Sequence, residues 1–128
     1  MPIVEDDVKN AMGVWLVTQG YEEVETRLGT RQGYDVEGIN KKTKKHLVIE
    51  CKGEAQTGNQ HHRSWPNVAS ALLTSLKEIE DQKNNNDVGM AFPDTPEYRG
   101  RMRLLQQFCK KQRLLVFWVS ENGSVQQW

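Results

Sequence analysis

Residues 33–54 read GYDVEGINKKTKKHLVIECKGE. The run His46–Lys52 is rich in branched apolar residues and predicts a strand, and residues 33–40, alternating and punctuated by glycine, predict the strand before it. The lysine-rich residues 41–44 then form the turn of a hairpin. With that turn, Asn40 faces Lys45 and the pairing runs outward until Val36 faces Ile49 and Asp35 faces Glu50. Directly opposed residues share a sheet face, and Lys52 joins the pair because side chains repeat every second residue. The other face keeps Val36, Ile49 and Cys51 together, so a slip of one residue would ruin both faces.

Two carboxylates on opposed rungs repel unless a proton, a cation or an ammonium relieves them. Hard oxygen ligands at such spacing suit Mg²⁺, for which Mn²⁺ can substitute. Asp35 and Glu50 are therefore the candidate metal ligands, with the backbone carbonyl of Cys51 a third. A divalent ion there would polarise a phosphodiester oxygen and acidify a water, while Lys52 would orient that water or offset charge on the phosphorus. Glu37 is a second choice for Asp35, since it shares the face one pair further on. The bland alternative is a cross-strand salt bridge beside a solvated acid.

Around this hairpin, Val4, Val8, Ala11, Met12, Trp15 and Leu16 form a helical stripe that ends at Gly20. Residues 21–29 predict a further strand. A polar loop is expected from Gly53 to about Trp65, long enough to face a substrate. A second helix is expected from Pro66, with Ser64 as a possible cap and residues 84–86 closing it. Residues 87–93 predict a buried strand. Tyr98, Met102, Leu105, Phe108 and Cys109 predict a third helix, residues 114–119 a central strand covered on both faces, and "ENGS" a turn into a last short strand. This order implies an α/β fold: a three-layer α/β/α sandwich with a mixed sheet, in which residues 113–119 lie beside the strand at 87–93.

Asp35 on one strand and Glu50-Cys51-Lys52 on the next resemble the PD-(D/E)xK nuclease signature, with Tyr34 where the name-giving proline would stand. The order of elements from about residue 4 to 119 resembles the restriction-endonuclease-like core. The resemblance implies a metal-dependent phosphodiesterase acting on DNA, in which Asp35 and Glu50 bind metal and Lys52 is the catalytic lysine. No Gln-x-x-x-Tyr pattern of RecB-like exonucleases is present on the second helix. Small members such as Holliday junction resolvases and Mrr-like enzymes also place an acid on the first helix. Glu5, at the border of the apolar stripe, is the choice here over Asp6 and Asp7, although counting back from "QGY" at 19–21 falls nearer Lys9.

The chain has 128 residues, a length typical of one domain, and 37% hydrophobic and 27% charged residues, as in globular proteins. Its formal net charge is zero, so a nucleic-acid surface must be sought in the distribution of charge. Lys41, Lys42, Lys44 and Lys45 crowd the hairpin turn, and Arg99, Arg103 and Lys110 share one face of the third helix. Both groups are candidate contacts to a DNA backbone. Gln56, Gln60, His61, His62 and Arg63 are candidates to steer substrate or bind phosphate from the polar loop, and Trp65 could stack on a base. Each has a plain alternative: solvated loop residues, a hairpin tip that discourages edge pairing, or cations stabilising a helix end. Cys51 and Cys109 fit reduced thiols, no apolar signal or spanning segment is present, and a cytoplasmic protein is expected. DNA is the expected partner, with a homodimer or a larger protein partner supplying specificity. The competing function class is a nucleic-acid-binding module or accessory subunit with weak or no cleavage.

Overall fold

The computed structural model describes residues 2–55, 58–81, 83 and 85–128. Helix α1 spans Glu5–Thr18, followed by strands β1 (Tyr21–Thr26), β2 (Val36–Asn40) and β3 (His46–Cys51). Helix α2 (Gln60–Glu80), β4 (Asp87–Pro93), helices α3 (Pro96–Arg103) and α4 (Gln106–Lys111), β5 (Leu115–Val119) and β6 (Val125–Gln127) complete the chain.

The strands form one six-stranded sheet in sequence order. β1, β2 and β3 pair antiparallel, β3, β4 and β5 parallel, and β6 closes the far edge antiparallel to β5. The hairpin has the predicted register, with Val36 on Ile49 and Gly38 on Leu47. Its turn is closed by Asn40 N–H on the Lys45 carbonyl at 2.9 Å and Lys44 N–H on the Asn40 carbonyl at 2.8 Å. The Asn40 side chain accepts the Lys42 and Thr43 amides, which explains why four residues suffice there.

Side chains alternate across the sheet into two cores. Val36, Leu47, Ile49, Cys51, Ala91, Phe117 and Val119 meet Val8, Met12 and Leu16 of α1. Val48, Val88, Met90, Val116 and Trp118 meet Val68, Ala71, Tyr98, Met102 and Cys109 of α2, α3 and α4. One helix therefore covers one face and three cover the other, an α/β sandwich whose middle strands are apolar on both sides.

Four expectations need correction. β1 stops at Thr26 and β2 starts at Val36; just beyond that last pair the Arg27 amide and guanidinium take the Asp35 and Tyr34 carbonyls. The segment 60–65 is helix, not loop: α2 starts at Gln60, Asn59 accepts the His62 amide as its cap in place of Ser64, and Pro66 lies inside the helix. The Gln60 side chain anchors that first turn by bonding both the amide and the carbonyl of Ala55. The third helix is broken at Leu104–Leu105 into α3 and α4, and Phe108 is 38% exposed instead of buried.

Candidate active site

The site lies at the carboxyl end of β3, the end of parallel strands where open α/β sheets usually place ligands. Three connections bring the neighbouring elements to it. Ile3 and Glu54 exchange bonds, with Glu54 N–H on the Ile3 carbonyl at 2.7 Å and Ile3 N–H on Glu54 Oε1 at 2.9 Å. Tyr98 Oη donates to the Gly53 carbonyl at 2.6 Å, and Asn67 Nδ2 donates to Tyr98 Oη at 2.8 Å. Gly53 itself has no room for a side chain, since a Cβ would stand 2.1 Å from the Glu5 nitrogen. The start of α1 is thereby pressed onto the end of β3, and Glu5 arrives beside the Asp35–Glu50 rung.

Asp35 sits just before β2, where the ladder is about to end. Its Oδ2 accepts the Cys51 amide at 2.8 Å. The N–H and C=O of a strand residue project toward the same neighbour, so the Cys51 carbonyl also projects to the Asp35 side. Asp35 and Glu50 are joined by a side-chain hydrogen bond. Burial, then that bond and the Asp35 charge, push the Glu50 carboxyl up to about 8, against the opposing pull of Lys52. The pair thus holds one proton between two acids near neutrality. Burial also raises the Cys51 thiol, which lies wholly on the apolar face.

Lys9 is the residue that the sequence reading missed as part of the site. It is 1% exposed. Its Nζ lies 3.2 Å from Glu5 Oε2, 3.6 Å from Asp35 Oδ1 and 3.8 Å from Asp6 Oδ1, and donates to the Gly29 carbonyl at 3.3 Å. Burial pulls its pKa down, but the Glu5 hydrogen bond and the charges of Asp35, Glu5 and Asp6 together outweigh that and raise it. The available signal was a lysine on the border of the α1 stripe, four residues after Glu5 and three after Asp6.

Tyr34 fixes the other side of Asp35: its hydroxyl donates to Glu78 Oε1 of α2 at 2.8 Å, and burial and that bond push the phenol up to about 12. A cavity of about 90 Å³ beside the acid pair is lined by Tyr34, Asp35, Glu50, Ser75 and Glu78. A second, of about 190 Å³, lies between Glu5, Gly53, Glu54, Arg63 and Asn67. A larger groove of about 510 Å³ between α1 and residues 119–123 is lined by neither Asp35, Glu50 nor Lys52.

Glu37, the second choice for Asp35, is committed elsewhere: it pairs with the Arg27 guanidinium and with His46 Nε2 at 2.8 Å. Lys41, Lys42, Lys44 and Lys45 lie exposed at the hairpin tip, Lys44 within 3.9 Å of Glu22 and Lys45 3.3 Å from Asp87. His62 and Arg63 are exposed on the first turns of α2, whereas Gln60 is used up by Ala55. Gln56 and the His61 side chain lie outside the described residues. Trp65 is 45% exposed, with the Arg101 guanidinium 5.4 Å from its ring centre. Arg99 is built into the fold, forked on Asp94 at 2.7 and 3.0 Å and lying 4.2 Å over the Trp118 ring. Arg103 is exposed on α3 and Lys110 on α4, so the three cations expected on one helix face stand on two helices.

Among the described residues, no group of three or more His, Cys, Asp or Glu side chains is placed to hold a metal ion. The acid pair fits Mg²⁺ on other grounds. Mg²⁺ keeps several waters and is commonly held by one or two carboxylates plus a substrate phosphate, and a proton shared between two carboxylates marks a place that a cation can take.

The chain matches no family model, no curated protein and no solved structure in comparisons with known proteins. No helix among the described residues is long and apolar enough to cross a membrane.

Proposed function

We propose that this chain is a Mg²⁺-dependent nuclease that hydrolyses DNA phosphodiester bonds as an endonuclease in the cytoplasm, on a restriction-endonuclease-like core. The observation that carries the proposal is the hydrogen-bonded Asp35–Glu50 pair at the end of β3, with Asp35 held by the Cys51 amide and the Lys52 charge acting on the pair. When bound, Mg²⁺ supplies Lewis acidity at a phosphoryl oxygen and lowers the pKa of a water. Asp35, held by the Cys51 amide, and Glu50, once its proton has passed to solvent, would hold the ion. Lys52, one residue past the end of β3, offers its ammonium to the charge that develops on phosphorus oxygens. The exposed lysines of the hairpin tip are the backbone contacts proposed for the substrate.

A second reading, a nucleic-acid-binding accessory module without cleavage, draws on Lys9, which already compensates part of the Asp35 charge. One assay separates the two. The protein is incubated with supercoiled, linear, single-stranded and branched DNA in Mg²⁺, Mn²⁺ or EDTA. Metal-dependent cutting that disappears in Asp35→Ala and Lys52→Ala supports the nuclease. Retention of DNA in a gel without cutting of any substrate selects the module, and neither cutting nor retention sinks both.

A further inference from the structure

The ammonium of Lys9 sits where a cation would sit. Four oxygens surround it: carboxylates of Glu5, Asp6 and Asp35 at 3.2–3.8 Å, and the Gly29 carbonyl at 3.3 Å. The cage is built, not incidental. Asp6 Oδ1 is fixed by the Gly29 amide at 3.0 Å, and Asp35 Oδ2 by the Cys51 amide at 2.8 Å, so a backbone amide holds each of these two carboxylates beside one buried side chain. Asp35 is thus divided. Its Oδ1 faces Lys9, its Oδ2 faces Cys51, and the carboxylate also bonds Glu50.

We infer that Lys9 fills the second cation position of this site, so that the Asp35–Glu50 pair takes a single divalent ion. This rests on the proposed metal-dependent reading of the pair. Charge supports it: with Glu50 ionised, Glu5, Asp6, Asp35 and Glu50 stand against Lys9 and Lys52, leaving two net negative charges, which one divalent ion balances. Take Lys9 away and three remain, with an oxygen cage on the α1 side of Asp35 and no cation in it. Two-metal sites place their ions roughly 3.5–4 Å apart around shared ligands. Lys9 Nζ, 3.6 Å from Asp35 Oδ1 and buried, puts a fixed positive charge beside the ligand that two ions would have to share. Lys9 is therefore a positioning residue: it touches no reacting atom and sets how many ions Asp35 can share.

The test counts ions by Mn²⁺ titration, followed by calorimetry and by electron paramagnetic resonance, on the wild-type chain, Lys9→Met and Lys9→Arg, with circular dichroism reporting the fold. The expected result is one Mn²⁺ per wild-type chain with an uncoupled spectrum and the same for Lys9→Arg. Lys9→Met should take up a second ion with a spin-coupled spectrum, and Mn²⁺ should raise its melting temperature more than that of wild type. The gain in Mn²⁺ affinity at the pair should be on the order of tenfold or more, from removal of a like charge at short range. A spin-coupled pair in the wild type overturns the inference and leaves the nuclease reading standing, whether or not Lys9→Met folds. So does a folded Lys9→Met with wild-type stoichiometry and affinity. No Mn²⁺ uptake by wild type or by folded Lys9→Met overturns both.

Discussion

Asp35 Oδ2 takes the Cys51 amide, at 2.8 Å, that the Tyr34 carbonyl would take if the β2–β3 ladder ran on to a Tyr34–Cys51 pair. The Tyr34 carbonyl instead accepts Arg27 Nη1 at 2.9 Å. At this strand end the Asp35 side chain thus replaces a backbone carbonyl as the acceptor of the Cys51 amide.

Two substitutions separate the structural and chemical parts of that arrangement. Asp35→Asn keeps an oxygen for the Cys51 amide, whereas Asp35→Ala leaves a buried N–H without its partner, at about 1–3 kcal/mol. Both remove the charge, so both should lose DNA cleavage by about 100-fold or more, the scale of one preorganised group. Urea unfolding should place Asp35→Asn between wild type and Asp35→Ala. Equal stability of the two variants would sever the link between the amide bond and the strand end.

The raised Glu50 carboxyl gives a signed pH dependence. Free Glu titrates near 4.5 and folded Glu50 near 8, so within that window the native chain holds a proton that the unfolded chain has released. The contribution to stability is present below about 4.5 and is lost as pH rises toward 8. In EDTA, the melting temperature of Glu50→Gln relative to wild type should therefore climb from pH 5 to 8 and level off above. Mn²⁺ binding to wild type should strengthen over the same range and release a proton, seen as a buffer-dependent heat. A pH-independent difference between the two chains would contradict a Glu50 proton in the folded state.

The register of this site was legible because turn length, lysine content and alternation in residues 36–51 all demand the same pairing. What surrounds it was not. Pro66 resembles a first helical residue, yet α2 begins six residues earlier, held by Gln60 on Ala55 and Asn59 on His62, bonds made by polar residues with no periodicity. The break between α3 and α4 is silent because Tyr98, Met102, Leu105 and Cys109 keep helical spacing across it. Counting along the helix reached Lys9 but gave it no role, because its partners Asp35 and Gly29 arrive from other elements.

Gly53 controls how closely α1 approaches β3. A Cβ there would meet backbone atoms of Glu5 and Val4 at 2.1 and 2.5 Å, none of which is a flexible side-chain end. Gly53→Ala should destabilise by about 1–3 kcal/mol, as overpacking does, and should also displace Glu5 from Lys9. Gly100, inside α3 with nothing within 4 Å of its Cβ position, is the matched control. Gly100→Ala should stabilise by roughly 0.5–1 kcal/mol through helix propensity and the entropy of the unfolded chain. Denaturant midpoints moving in the same direction for both would refute the contact.

Arg99 and the hairpin lysines divide stability from binding. Arg99 holds Asp94 with two bonds, meets Gln126 Oε1 at 3.0 Å and lies over Trp118, so Arg99→Ala should cost about 1–2 kcal/mol and leave DNA affinity unchanged. Lys41 and Lys42 are exposed, and neither makes an ion pair among the described residues. Replacing both by Gln should leave stability within about 0.5 kcal/mol of wild type, the range for surface changes without partners. If each touches a phosphate, the slope of log affinity against log salt should flatten by roughly 0.9 per lysine removed on duplex DNA. Fluorescence anisotropy at several salt concentrations reads that slope, and an unchanged slope would remove the hairpin tip from the proposed DNA surface.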